Sequence, residues 1–212
     1  MLTSFGALCC VLAGVLFPLS ASAQAPSLER LLSRFAALPG LEAEFTEEKT
    51  MALLAVPVRS RGHIWFAGNP DRLMRRITAP DPSQALIDGG TLRMRSGGRT
   101  EELDIDSNAV LRGFVDSFRA VLAGDQASLE RYYEAELTAG EGEDAWVLSL
   151  QPRNRDLRRF VRTITMRGSG VNIEEMLMVE VNGDQTRTTF RNVNARRRYS
   201  DSESSRIFRI EE

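Results

Sequence analysis

The sequence predicts an α+β protein, mainly β, in which about ten or eleven antiparallel strands form one curved sheet and two or three helices pack on it. Many short segments alternate apolar and polar residues, turn signals separate them, and two longer segments repeat apolar residues every three or four positions. Because strand twist accumulates across so wide a sheet, the sheet must curl and enclose either a packed core or a cavity.

The first helix is predicted directly after Pro26-Ser27, and Pro39-Gly40 ends it. Its apolar positions have helical spacing: Leu28, Leu31, Leu32, Phe35 and Leu38. From Leu41 the period changes to two, which is typical of a half-buried strand.

Further strands are predicted wherever a short apolar or alternating run lies between turn signals. These runs are 58–66, 72–78, 84–87, 91–95, 133–138, 146–151, 160–167, 171–181, 186–193 and 206–210. Asn182-Gly183-Asp184 predicts a tight hairpin, because Asn-Gly readily takes positive φ values. Short connections without intervening helices make neighbouring strands antiparallel.

A second helix is predicted between an N-cap at Ser107 or Asn108 and a stop at Gly124. Its apolar stripe consists of Val110, Leu111, Phe114, Val115, Phe118, Val121 and Leu122. Gly113 within it costs about 1 kcal/mol relative to alanine, so the helix must gain stability by laying this stripe on the sheet. A short helical turn at 128–131 is predicted to follow.

Residues 4–23 form an apolar run that closes in Ala21-Ser22-Ala23, as in an export signal cleaved after Ala23. Its mostly apolar part is about 15 residues long and breaks at Pro18, which is short of the roughly 20 residues of a spanning helix and argues against a retained anchor. No Lys or Arg precedes it. We therefore expect an exported, soluble protein in which residues 24–212 form a single domain.

Composition excludes several classes of function. Cys9 and Cys10 both lie in the predicted signal, so the mature chain would have no disulfide and no thiol nucleophile. A net charge of −2 gives no long-range attraction to nucleic acid. The short basic cluster Arg196–Arg198 is interpreted as a solvated face or turn, with a partner site as the alternative.

Catalytic motifs are sparse. His63 is the only histidine and lies in a predicted strand, which excludes the usual zinc sites and Cys-His catalysis. The G-x-S-x-G elbow of many esterases does not occur. The segment 104–108 resembles a calcium loop but lacks the required glycine, so we interpret it as a helix cap. We predict no catalytic residue, no metal and no cofactor, and hence not an enzyme.

Acidic residues and methionines are the remaining candidates for a functional site. Glu42, Glu44, Glu47 and Glu48 could supply paired carboxylates, although alternation places most of them on the wet face of a strand. Several methionines lie on predicted strands, where a flexible thioether either fills a core or adapts to ligands. Together with helices laid over a curled sheet, this pattern favours a ligand cavity.

The order of motifs resembles the LolA family of periplasmic carriers of outer-membrane lipoproteins. The matching residues are Phe45-Thr46-Glu47, Gly62-x-Ile64-x-Phe66 before Pro70, Leu73, Pro80, Leu86-Ile87-Asp88-Gly89, Leu92, Leu122-Ala123-Gly124-Asp125 and Trp146-x-Leu148-x-Leu150-x-Pro152. The resemblance spans nearly all of residues 27–194.

This resemblance implies an unclosed half barrel, with the helices as a lid over a hydrophobic cavity that holds acyl chains. The positions expected to line the cavity are Ile64, Phe66, Leu73, Ile77, Leu92, Met94, Trp146, Leu148 and Leu150 on the sheet, with Phe114, Phe118 and Leu122 from the lid. It also implies a monomer whose partners are an acylated cargo, an inner-membrane donor complex and an outer-membrane acceptor.

Three positions depart from the family pattern. Glu47 replaces a common glutamine, and Asn69 stands where the family commonly has a basic residue that helps keep the lid shut. Arg75 lies between Leu73 and Ile77, where an aromatic residue is expected. Arg75 is either a rim residue or a ligand for an anionic headgroup, in which case the cargo is a glycolipid or a lipid-like pigment.

Two functions other than lipid transport are alternatives. One is a structural or interaction module in which the helix stripe fills a solid core. The other is an esterase built on His63.

Overall fold

The computed structural model describes residues 27–69 and 71–211, and within α2 it leaves the side chains of residues 109, 110, 114, 117 and 118 undescribed. The predicted signal therefore lies outside the described residues. The strands are β1 (Gly40–Thr50), β2 (Val58–Gly68), β3 (Asp71–Ala79), β4 (Ser83–Asp88), β5 (Thr91–Ser96), β6 (Arg99–Asp104), β7 (Tyr133–Ala139), β8 (Ala145–Pro152), β9 (Val161–Ser169), β10 (Asn172–Glu180) and β11 (Gln185–Asn194). The helices are α1 (Leu28–Ala36), α2 (Ala109–Ala123), α3 (Gln126–Tyr132) and α4 (Asp201–Ile207), with a 3₁₀ turn at Leu157–Arg159.

All strands belong to one antiparallel sheet, in the order β6-β5-β4-β3-β2-β1-β11-β10-β9-β8-β7. Every neighbouring pair is consecutive in sequence except β1 and β11, whose pairing joins the two halves of the chain. The outermost strands of the order, β6 and β7, each have one partner, so the sheet is unclosed. The predicted mainly β fold with an unclosed antiparallel sheet is confirmed.

Two details of the strand prediction are wrong, although the predicted number of strands agrees with the structure. Residues 206–210 are not a strand, because Ser200 and Glu203 form a capping box that starts α4. Strand β6 was missed, because all six of its residues are exposed and it therefore has no apolar alternation to detect.

One face of the sheet is covered by α1, α2, α3 and the 3₁₀ turn, and we call it the inner face. Leu32 and Phe35 of α1, Val121 of α2 and Leu129 of α3 are buried there with apolar side chains from the strands. This cluster is the main core, which we call the inner core.

The ends of α2 follow the predicted signals. The side chain of Asn108 accepts a hydrogen bond from the backbone N–H of Leu111 at 3.0 Å, as an N-cap does. Gly124 ends the helix with φ of 68°, and a Cβ there would lie 2.2 Å from the carbonyl oxygen of Leu32. Glycine at this position therefore permits both the left-handed turn and the close approach of α2 to α1.

The opposite, outer face carries a smaller core beneath the C-terminal segment. Phe208 packs there with Met74 and Leu86. Arg197, the middle residue of the basic cluster, is 2.9 Å from Glu42 and 2.6 Å from Glu203. The cluster thus fastens the C-terminal segment to β1 rather than facing only solvent. Among the described residues, no helix is long and apolar enough to cross a membrane.

Candidate functional site

Most of the residues predicted to contact acyl chains meet on the inner face. Because side chains alternate along each strand, every second residue of β2, β3 and β8 points toward the covering helices. Those found in or against the inner core are Ile64, Phe66, Leu73, Ile77, Leu122, Trp146, Leu148 and Leu150. Strand periodicity therefore places the strand residues of this group on one common surface, and Leu122 meets them from α2.

Among the described side chains, those at the centre of the inner face pack closely together. A void between them has a volume of about 20 Å³ and is lined by Leu41, Ala43, Ile64, Phe66, Leu73, Leu122, Ile173, Phe190 and Val193. Such a volume is close to the minimum that holds a single water molecule. Ligand pockets for small molecules are roughly 300–1,000 Å³. Between these described side chains, the void is too small for an acyl chain.

Trp146 joins the sheet to α1. It lies opposite Gly168 of β9, where a Cβ would come within 2.7 Å of its ring. Its indole N–H donates to the carbonyl of Gly170 at 3.1 Å, and its ring meets Phe35 edge to face with centroids 6.0 Å apart. Glycine on the neighbouring strand therefore creates the space that the indole occupies.

A charged cluster interrupts the apolar inner face beside Phe45. Arg75 donates from Nη2 to Oε2 of Glu47 at 2.8 Å, and its guanidinium carbon lies 4.5 Å from the centre of the Phe45 ring. The buried hydroxyl of Thr188 donates to the same Glu47 oxygen at 3.2 Å. Arg75 does share a face with Leu73 and Ile77, but in this conformation a carboxylate of the chain already occupies it.

The sequence marks Glu47 as one of four strand carboxylates and as a departure from the family pattern, but its contact with Arg75 was not predicted. Its position is two residues beyond Phe45, so it has the same strand phase as Leu41, Ala43 and Phe45. The alternation that placed those residues inside therefore contained the signal.

The charge continues at the next inner position of β1. Nζ of Lys49 lies 2.9 Å from Oε1 of Glu180, and this hydrogen bond raises the pKa of Lys49. Along β1 the inner face thus changes from apolar at Leu41 to charged at Lys49. We call the group of Glu47, Lys49, Arg75, Glu180 and Thr188 the charged end.

Helix α2 is fastened to the sheet by Arg119. Its guanidinium forms an ion pair with Asp71 at the start of β3, and Nη1 donates to the carbonyl of Gly89 at 3.1 Å. Asp116 of α2 accepts a hydrogen bond from the hydroxyl of Tyr132 at 3.0 Å, and burial with this bond raises the pKa of Tyr132. We call α2 the lid helix.

Comparison with known proteins decides the family. Residues 20–203 match the sequence model of the family described as outer membrane lipoprotein carrier protein LolA-like. The chain belongs to this LolA-like family.

Several solved structures are similar to this LolA-like chain at low sequence identity. LolA superfamily protein NE2245 from Nitrosomonas europaea is 12% identical, with a TM-score of 0.45 over 88% of this chain and 99% of its own. Mycobacterium tuberculosis lipoprotein LppX is 10% identical, with a TM-score of 0.45 over 82% of this chain and 96% of its own. The Pseudomonas aeruginosa MucA/MucB complex is 15% identical, with a TM-score of 0.48 over 82% of this chain and 59% of the matched chain. A comparison with curated protein sequences gives no match.

The LolA-like chain places the basic group of its lid contact differently from the pattern implied by the resemblance. The sheet position is Asn69, and the cation is instead Arg119 on the lid helix, with its anionic partner Asp71 on the sheet.

Not all predicted residues of the LolA-like site come together. Leu92 and Met94 of β5 belong to a cluster separate from the inner core. This cluster also contains Val115 of α2 and Ile105, which precedes that helix. The side chains of Phe114 and Phe118 lie outside the described part of the structure.

His63, the residue of the esterase alternative, packs against an aromatic ring. The His63 ring stacks on Trp65, with centroids 5.4 Å apart and planes 15° from parallel. Across the described ranges, no group of three His, Cys, Asp or Glu side chains could hold a metal ion.

Proposed function

We propose that this LolA-like protein is a non-enzymatic periplasmic carrier that shields the acyl chains of lipoproteins or lipids during transfer from the inner to the outer membrane. The observation that carries the proposal is an inner face lined by apolar side chains and covered by a separate lid helix. Membership of the LolA-like family supports it. The chain would take its cargo from an inner-membrane donor complex and give it to an outer-membrane acceptor.

Transfer through water requires that acyl chains be covered. Each methylene group gains about 0.8 kcal/mol on leaving water, so a lipid with several chains does not cross an aqueous compartment unaided. A carrier must also release its cargo, so its net affinity must remain moderate.

The closed inner face provides that moderation. Opening the lid separates the apolar contacts of α2 from the sheet, and this free energy is subtracted from the free energy gained by covering the acyl chains. In this proposal, the close packing around the 20 Å³ void corresponds to the carrier without cargo.

The charged end gives the cargo a direction. An amphiphile with its chains against Phe45 and Phe66 would place a polar headgroup beside Arg75 and Glu47. An anionic headgroup would replace the Glu47 carboxylate on the Arg75 guanidinium. A glycolipid or a lipid-like pigment with such a group is the alternative cargo to a lipoprotein.

A module with a permanently solid core is the rival function, and the close packing of the described inner-face side chains favours it. Purification of the exported protein, followed by organic extraction and mass spectrometry, separates the two. A carrier yields bound lipid and takes up a fluorescent fatty acid. Absence of both lipid and uptake would contradict the carrier. N-terminal sequencing of the same sample tests cleavage after Ala23, and light scattering tests the monomer.

A further inference from the structure

The hairpin between β1 and β2 ends in an exposed apolar segment. Residues 51–58 read Met-Ala-Leu-Leu-Ala-Val-Pro-Val and contain no charged or hydrogen-bonding side chain. Four of them are large apolar side chains in water: Leu53 is 96% exposed, Val56 72%, Val58 47% and Leu54 46%. We call residues 51–58 the apolar tip.

The apolar tip is held in a defined position. The backbone N–H of Leu54 donates to the carbonyl of Met51 at 3.0 Å, which closes a turn. The backbone N–H of Ala52 donates to Oδ1 of Asp184 in the β10–β11 turn, also at 3.0 Å. Exposure of contiguous apolar side chains on a fixed turn is unfavourable in water and is typical of a surface that meets an apolar partner.

The charges around the apolar tip favour a lipid bilayer as that partner. Residues 49–61 contain Lys49, Arg59 and Arg61 and no acidic residue. The neighbouring acids include Glu48, which pairs with Arg59 at 2.8 Å, Glu180, which pairs with Lys49, and Asp184, which accepts the hydrogen bond from the backbone N–H of Ala52. A short apolar segment bounded by cations suits the boundary between acyl chains and anionic headgroups.

A groove on the outer side of the same hairpin adds to this arrangement. It has a volume of about 430 Å³, and its charged lining residues are Arg59, Arg61 and Arg187 together with Glu47 and Glu48. Arg187 also pairs with Glu175 at 2.5 Å. Exposed arginines on both β1-flanking strands would therefore lie at headgroup level when the apolar tip enters the acyl region.

We propose that the apolar tip inserts into a lipid bilayer that contains anionic lipids, and that Arg59 and Arg61 contact the headgroups. The proposal rests on the carrier function. Strand β1 leads from the inner face past Glu47 and Lys49 directly to the apolar tip. Insertion would bring the charged end to the membrane surface where cargo enters or leaves.

Vesicle flotation tests the insertion with the full exported protein. We expect binding to vesicles of phosphatidylethanolamine and phosphatidylglycerol, and weaker binding to phosphatidylcholine vesicles. The double variant Leu53→Ser/Val56→Ser should lower the partition coefficient about tenfold or more. The matched control is Leu103→Ser on β6, which replaces another exposed leucine, 41% exposed, and should leave binding unchanged.

A direct readout uses Leu53→Trp. Its emission should shift to the blue on addition of the anionic vesicles and should be quenched by brominated acyl chains. No vesicle binding by the unaltered protein, or equal binding by the double variant, would overturn the proposal. Saturable binding to a membrane protein but not to protein-free vesicles would overturn it too, in favour of a protein partner.

The outcome is separable from that of the carrier function. The double variant should still take up a fluorescent fatty acid in solution, because the apolar tip lies outside the inner core. If the unaltered protein binds vesicles but takes up no fatty acid, the carrier function alone is contradicted. If it takes up fatty acid but does not bind vesicles, insertion alone is contradicted.

Discussion

Arg119 on the lid helix is ion-paired with Asp71, the first residue of β3, and this pair ties the lid to the sheet. Both side chains are partly buried, at 24% and 37% exposure, so water screens their attraction less than at a fully exposed site. The pair therefore stabilises the closed state relative to an open one.

Asp71→Asn should weaken this closure and favour lid opening. A partly exposed pair contributes about 1 kcal/mol, so the affinity for a fluorescent fatty acid should rise about fivefold. Titration of the purified protein measures the change. The control is Asp106→Asn. Asp106 lies 3.5 Å from Arg112 of the lid helix and is more exposed than Asp71, so its loss should have little effect. Unchanged affinity in Asp71→Asn would show that the pair does not hold the lid.

Arg75→Ala should change which lipids co-purify. Without the guanidinium, lipids with anionic headgroups should decrease relative to neutral ones, whereas Arg75→Lys should retain part of them. Mass spectrometry of extracted lipid gives the ratio. The control is Arg76→Ala, because Arg76 pairs with Glu211 of the C-terminal segment at 3.2 Å. The same lipid composition in Arg75→Ala and the unaltered protein would remove the headgroup role.

Gly124→Ala should destabilise the fold more than Gly89→Ala. Both glycines have positive φ, 68° and 56°, so alanine at either costs about 1–2 kcal/mol of backbone strain. Only at Gly124 would the new Cβ also collide with the Leu32 carbonyl, whereas it meets nothing within 4 Å at Gly89. We expect a total loss of about 2–4 kcal/mol for Gly124→Ala, measured by urea unfolding. Equal losses at the two sites would mean that α1 and α2 are not packed this closely.

Acid should weaken the attachment of the C-terminal segment through Glu203. The backbone N–H of Ser200, the Arg197 guanidinium and the Ser200 hydroxyl all hydrogen-bond its carboxylate and lower its pKa to about 2. Because the pKa in the folded protein lies below the ordinary value of 4.5, the stabilisation is complete above that value and disappears as the pH falls toward 2.

Glu203→Gln should therefore melt at a lower temperature than the unaltered protein at neutral pH, with the difference shrinking between pH 4.5 and about 2. Thermal unfolding at a series of pH values follows this. Glu136→Gln, at an exposed position of β7, serves as the control. A difference that stays constant over the whole pH range would contradict the role of the Glu203 charge.

Local periodicity determined most of the elements and the membership of the inner face. Leu31, Leu32 and Phe35 on α1, and Trp146, Leu148 and Leu150 on β8, lie in the inner core because an element that buries one face must repeat its apolar residues at its own period. The same reasoning failed at β6, which buries neither face, and at α4, where a capping box outweighed an apolar run.

Only the tertiary structure decided the features that depend on residues distant in sequence. These are the pairing of β1 with β11, the Glu47–Arg75 and Asp71–Arg119 ion pairs, and the packing of the described inner-face side chains around a 20 Å³ void. The exposure of Leu53 at the hairpin end was equally undetermined, because an apolar run has the same appearance whether or not other elements cover it. Sequence patterns record what each segment needs to bury, whereas the surface that buries it, or leaves it in water, is set by the whole fold.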